Sequence, residues 1–262
     1  DRRQRQMCIR DRIKALQEVI RFADVVPKAH YYLGNLWYDK RQYPEAIAEW
    51  EKSVEQDDTF PTVLRNLSLA YFNKQDKQQE AVALLERAFK LDIRDARILM
   101  ELDQLYKRLN RPHADRLNLL DKLKEVAFSR DDLYLEYVTL LNQLGRYEEA
   151  IHMIDARRFH PWEGGEGKVP AQYQLARVEL VKACLKAGEN EKALDLIEEC
   201  FIYPHNLGEG KLYGAQENDF NYYKACALQA LGREAEAREL FLAASTGNSQ
   251  PAAAMYYLSL IH

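Results

Sequence analysis

The chain has 262 residues, 47% of them apolar and 30% charged, with a net charge of -4 and a mean hydropathy of -0.51. That length allows one or two domains around a buried core, and the apolar share excludes disorder by composition. No run of eighteen apolar residues is present to cross a membrane, and eleven glycines and eight prolines are too few for a many-turned all-β architecture.

The two ends read as foreign to the fold. Met7-Cys8-Ile9-Arg10-Asp11-Arg12 back-translates to a stretch that resembles the transposase mosaic-end adapter of sequencing libraries. Leu258-Ser259-Leu260-Ile261-His262 back-translates to the reverse complement of that adapter. The expected organisation is therefore residues 1–12 and 258–262 as adapter translation, 13–26 as a leading helix, and 27–257 as one repeat domain. On this reading the chain is an internal piece of a longer protein, and any signal peptide lies upstream. Without the first twelve residues the balance is 32 basic against 39 acidic residues. A net charge of -7 lacks the basic footprint of a nucleic-acid binder. The cysteines outside the ends are Cys184, Cys200 and Cys226. They form no C-x-x-C pair and no zinc spacing, and they fit small buried residues in a reducing, cytoplasmic setting.

From residue 27 onward one pattern recurs. It opens as Leu33-Gly34-x-x-Trp37, Tyr43-x-x-Ala46 and Trp50. It continues as Leu67-x-x-x-Tyr71 with Ala81, Leu85 and Ala88, carrying one extra residue in the turn. A third copy has Leu102 and Tyr106, then Arg111-Pro112 in the turn and Ala114. The fourth is Tyr137, Leu141, Gly145, Tyr147 and Ala150; the fifth is Leu180, Cys184, Gly188 and Ala193; the sixth is Lys224, Leu228, Gly232 and Ala237. Ala252 to Tyr257 opens a seventh. Apolar residues flank each turn at helical spacing, glycine marks the end of a first helix, and alanine lets a second helix approach it closely. A tandem helical hairpin buries a continuous core that one hairpin alone could not.

These residues resemble the tetratricopeptide repeat across about residues 27–257. The resemblance implies an all-α, right-handed α-solenoid of about six antiparallel helix pairs, whose first helices line a concave groove. The inward positions are then Tyr31, Asn35 and Tyr38 in the first unit. The second contributes Arg65, Asn66, Leu69, Phe72 and Asn73, and the third Arg97, Gln104 and Lys107. Family members that grip a peptide carboxylate use Lys, Arg and Asn there, and Asn35, Arg65 and Asn73 match that clamp in part. Aromatic faces with Arg and amide groups suit an extended peptide. The alternative is that Tyr31, Tyr38 and Phe72 only fill space between helices, as Tyr71 and Tyr106 are expected to do.

The later units are about nine residues longer than the ~34 of the ordinary repeat. Pro161-Trp162-Glu163-Gly164-Gly165-Glu166-Gly167-Lys168 aligns with Pro204-His205-Asn206-Leu207-Gly208-Glu209-Gly210-Lys211, and Gly-Glu-Gly-Lys recurs 43 residues apart. Both copies join a second helix to the next first helix, so they are expected on one edge, one above the other. Neither fits a phosphate loop, because no strand precedes it and Val169 or Leu212 follows the lysine. A sugar site is one reading: Trp162 offers a stacking face, and Glu163, Glu166, Lys168, His205, Glu209 and Lys211 offer hydrogen bonds. A structural turn is the other. No third group positions a substrate, and His160 and His205 share no helix face for a metal.

The phrase Lys28-Ala29-His30-Tyr31-Tyr32-Leu33-Gly34-Asn35, the Phe159–Lys168 loop and Tyr203–Lys211 together resemble a group of large bacterial proteins. These join an N-terminal β-rich domain, similar to galactose-mutarotase-like sugar-binding sandwiches, to tetratricopeptide repeats. The resemblance implies a helical arm of a carbohydrate-associated protein. The expected function is an interaction scaffold for a peptide, a partner protein or that missing N-terminal domain, with a glycan site at the loops as the alternative. No catalytic residue, metal, cofactor, nucleic acid or membrane is expected.

Overall fold

The computed structural model describes residues 2–246. The seventh hairpin expected at Ala252–Tyr257 and the segment 258–262 lie outside the described residues. Among the described residues every regular element is helical, as expected, and the chain divides into two compact units. The first holds the chain up to Pro112 together with Leu123–Arg130; the second holds His113–Lys122 and the chain from Asp131 onward.

In the first unit α1 (Arg2–Phe22), α2 (Pro27–Asp39), α3 (Tyr43–Gln56), α4 (Pro61–Ala70), α5 (Gln78–Leu91) and α6 (Ala96–Arg108) each pack on the next. Helix α1 runs through residue 12 without a break, and Ile13 is buried on it. Proline in the first turn of α2, α3 and α4 gives up no hydrogen bond there, and the Asp95 carboxylate caps α6 by accepting from the N–H groups of Arg97 and Ile98. The hairpin α2–α3 closes over Gly34. A Cβ on Gly34 would lie 2.5 Å from two atoms of the buried Trp50 indole and 3.0 Å from the Ala46 carbonyl oxygen. Leu33, Ala46, Ile47, Trp50, Val63 and Leu67 form the core on either side.

Between hairpins a polar seam repeats. The hydroxyl of Tyr71 donates to Glu51 at 2.6 Å, and that of Tyr106 donates to Glu86 at 2.6 Å, each partner lying 20 residues back. The Lys77 ammonium sits 4.4 Å over the Tyr71 ring, and the Arg111 guanidinium 3.8 Å over that of Tyr106. Burial, and then the neighbouring carboxylate, push both phenols well above their ordinary range, so both stay neutral donors.

The next two helices are α7 (His113–Lys122) and α8 (Lys124–Ala127). In the first unit α8 packs on α6; in the second α7 packs on the helix that starts at Asp131. Ala114 is exposed. The buried face of α7 is Arg116, Leu117 and Leu120, and Arg116 reaches Glu136 at 2.6 Å.

The second unit continues with α9 (Asp131–Gln143), α10 (Tyr147–Asp155), α11 (Lys168–Ala187), α12 (Asn190–Glu199), α13 (Asn218–Ala230) and α14 (Glu234–Ala244). Ala150, Ala193 and Ala237 are fully buried, as are Ala46 and Ala81 in the first unit. Cys184 and Cys200 are buried thiols within the core around Val181, Ile197 and Phe220. Burial raises their pKa, to about 12 for Cys200, which leaves them unreactive.

One turn geometry recurs throughout. Arg41, Asp76, Asn110, Gly145, Gly188 and Gly232 all take positive φ, between 54° and 78°. The residue after each donates its N–H back to the carbonyl of Trp37, Tyr71, Tyr106, Leu141, Cys184 or Leu228, respectively. Five of these are the 6→1 closure of a Schellman turn, and the bond from Lys77 to Tyr71 spans one residue more. The extra residue expected after Tyr71 is absorbed by a π turn, Tyr71–Gln75, so the closing bond still forms.

Two glycine substitutions separate packing from backbone strain. Gly34→Ala is expected to lower unfolding free energy by about 1–3 kcal/mol through the collision with Trp50. Gly188→Ala, with open space at its Cβ but φ of 78°, costs about 1–2 kcal/mol from the backbone alone. In urea unfolding monitored by tryptophan emission, Gly34→Ala shifts the native spectrum and Gly188→Ala does not.

Candidate functional site

Two places bring the expected site residues together. The first is the face shared by α2, α4 and α6. Asn35 Oδ1 accepts from Trp50 Nε1 at 3.1 Å and from Asn66 Nδ2 at 3.1 Å. Asn66 Oδ1 accepts from Arg65 Nη1 at 3.1 Å. Arg65 forks onto Glu101, its Nε donating to Oε2 at 2.5 Å and its Nη2 to Oε1. Arg97 approaches the same carboxylate from one turn earlier, at 3.4 Å. A polar ladder therefore links four helices, α3, α2, α4 and α6, from Trp50 to Arg97.

The aromatic residues flank the ladder in a mostly packed state. Tyr31 is half-buried, its ring edge-on to Phe60 at 4.9 Å, and its carbonyl accepts from Trp50 Nε1 at 3.2 Å. Tyr38 is wedged between Tyr43 at 5.0 Å and Trp50 at 5.4 Å. Phe72 is half-buried with Arg108 5.4 Å over its ring. Asn73 turns its amide back to the Leu69 carbonyl at 2.9 Å, so it stands apart from the ladder. Gln104 and Lys107 are exposed on α6.

Glu101 is the residue that the sequence reading passed over, and it changes the chemistry. Arg65 is 15% exposed and already holds a carboxylate that is 11% exposed. A carboxylate clamp built on Arg65 would have to displace Glu101, so the clamp is occupied from within. Its signal in the sequence was Arg97 four residues earlier, on the same helical stripe.

The second place is the pair of loops after α10 and α12. They do lie against each other. Phe159 N–H donates to the Asn206 carbonyl at 2.8 Å, and Gly167 N–H donates to Glu209 Oε2 at 2.8 Å. Asn206 Nδ2 reaches the carbonyls of Ile154 at 3.0 Å and Arg157 at 3.2 Å. A Cβ on Gly208 would strike the Phe159 carbonyl, so this glycine is required by the contact. Asp131, at the start of α9, accepts from Arg157 Nε at 2.6 Å and from the His160 N–H at 2.9 Å, which ties the first loop down.

The two Gly-Glu-Gly-Lys copies are not alike in form. Gly167 takes positive φ and ends the first loop, with Lys168 opening α11. In the second copy the positive φ falls on Gly208, and the chain runs on to α13 at Asn218. Lys168 points away as an exposed helix residue, and Lys211 is held by Glu217 at 2.7 Å. Neither lysine lines the recess beside the loops.

That recess has a volume of about 280 Å3, and Trp162, Glu163, Glu166 and Glu209 line it together with His160. Trp162 is half-buried, with its indole laid on the Gly165 backbone. Glu166 is exposed and reaches the Gly164 N–H at 3.3 Å within its own loop. A second recess of about 440 Å3 lies beside it, lined by His205, Tyr203 and Arg158 and sharing Glu209.

Residues 27–60 match the family model of the tetratricopeptide repeat, over the hairpin that carries Gly34 and Trp50. Two solved structures share the fold. YrrB, a TPR protein with an unusual peptide-binding site, is 14% identical, with 87% of this chain and 97% of that chain covered and a TM-score of 0.51. The structure of Naa15/Naa10 bound to HypK-THB is 15% identical, covering 94% of this chain and 35% of that chain, with a TM-score of 0.57. The fold is a tetratricopeptide-type array of helical hairpins. At such identities the likeness concerns architecture alone.

The tie through Asp131 has a pH signature. Burial alone would raise its carboxyl, but hydrogen bonds from His160 and Arg157 outweigh that and hold it below the ordinary value. A depressed folded-state value means the contribution is complete above the unfolded value of about 4 and is lost as pH falls through the lower one. The His160 amide is expected to keep its hydrogen-exchange protection down to about pH 4. Asp131→Ala, which removes the acceptor, loses that protection at every pH.

Proposed function

We propose that this chain is an interaction scaffold, with no catalytic group of its own, whose α2, α4 and α6 face holds an extended segment of a partner protein. The supporting observation is the ladder. Among the described residues neither Asn35 Nδ2 nor the second N–H of Asn66 finds a protein acceptor, so both remain available to main-chain carbonyls of a peptide. The exposed Gln104 and Lys107 extend the same face, and half-buried Tyr31 and Phe72 supply apolar contact. Occupation of Arg65 by Glu101 favours main-chain reading over capture of a peptide C-terminus. The N-terminal domain implied by the bacterial resemblance is one candidate source of that segment. The acidic balance disfavours nucleic acid, and among the described residues no helix is long and apolar enough to cross a membrane.

Peptides selected on the protein from a displayed random library test this. Asn66→Ala is expected to weaken them at least fivefold with the helical circular dichroism unchanged. Glu101→Gln, which loosens the hold on Arg65, is expected to raise affinity for peptides ending in a free carboxylate over their amidated forms. Selected peptides indifferent to both changes would place binding elsewhere.

A second reading rests on one observation: the Trp162 ring and the carboxylates of Glu163, Glu166 and Glu209 open onto one recess. A stacking face with hydrogen-bond acceptors suits a saccharide. A panel of monosaccharides at millimolar concentration is expected to raise the melting temperature of the protein, and Trp162→Ala is expected to abolish that rise. No shift with any sugar removes the reading.

A further inference from the structure

Helices α10 and α12 wall a cleft of about 580 Å3 over α11, away from the residues considered so far. Its volume falls within the range of ligand sites, roughly 300–1,000 Å3. Ile151, Leu180 and Leu196 are half-buried in it, and Ala183 and Ala187 are exposed. At one end stands Arg177, whose side chain is 5% exposed. Its guanidinium lies 3.6 Å over the Tyr173 ring, its Nε donates to Glu199 at 2.7 Å, and its Nη2 lies 3.5 Å from Asp155. Among the described residues its Nη1, which is buried, has no acceptor. A charged donor buried without an acceptor is costly, so a ligand that brings an oxygen to it gains accordingly.

The charge around the cleft decides what kind of oxygen. Glu148, Asp155, Glu189 and Glu199 face only Arg177 and Lys192, and Lys192 is spent on Glu189 at 3.2 Å. A carboxylate or phosphate would meet a surplus of negative charge; a neutral carbonyl would not. The side chains of Asp155 and Glu199 are each 49% exposed, which leaves them open to a cation. We propose that this cleft binds a polypeptide segment carrying alternate apolar and basic side chains, with a main-chain carbonyl seated on Arg177 and the basic groups on Glu148, Asp155 and Glu199. The aliphatic stems cover Leu180, Ala183 and Leu196. This site is independent of the α2, α4 and α6 face.

Two fluorescein-labelled, acetylated and amidated octapeptides serve as probes, one alternating leucine with lysine and the other leucine with glutamate. By fluorescence anisotropy at physiological salt the lysine peptide binds the intact protein and the glutamate peptide does not. Ala183→Trp, which fills the cleft from an exposed position, is expected to weaken binding more than tenfold. Arg177→Lys keeps the charge but removes the fork, and is expected to weaken it about tenfold. Asn66→Ala leaves it unchanged, which separates this result from the peptide face above. Equal binding of the two peptides, no binding of the lysine peptide, or full binding by a folded Ala183→Trp protein would each overturn the proposal.

Discussion

The structure depends on a single backbone hydrogen bond made six times. After each first helix one residue turns left-handed, and the next N–H returns to the carbonyl of the helix just ended. That bond sets the angle at which the second helix starts. At Ala46, Ala81, Ala150, Ala193 and Ala237 the residue that meets the first helix is small and fully buried. At Ala114 the turn is kept but the alanine is exposed. The closing bond thus recurs without fixing which residue of the next helix is buried.

The helical hairpins and their turns were legible because they obey local rules. Glycine at 145, 188 and 232 announces positive φ directly. Arg41, Asp76 and Asn110 occupy the same conformation without that signal, and only the spacing of Ala46 and Ala81 from them discloses it. In the third copy Ala114 is exposed, and the buried positions of its helix are Arg116, Leu117 and Leu120, with Arg116 paired to a carboxylate 20 residues further on. Charge pairing over such distances leaves no periodic trace.

The same holds for the candidate sites. Asn35, Asn66 and Arg65 were expected on one face from the tetratricopeptide resemblance, and the structure joins them in a ladder. Their chemistry was not legible, because it is set by Glu101 from the next hairpin. The loops likewise meet as their spacing foretold, whereas Lys168 and Lys211 are drawn off by local geometry. Residue type and period locate a surface; which of its charges are already spent depends on long-range partners.

The two Gly-Glu-Gly-Lys segments show how little four residues determine by themselves. The first owes its shape to Glu209, Asn206 and Asp131, and two of these lie later in the chain. During synthesis the ribosome delivers α10 and α11 well before residues 206 and 209 exist outside it. The connection between those helices must therefore wait, and it acquires its final form only when a segment more than forty residues downstream has emerged to lock it.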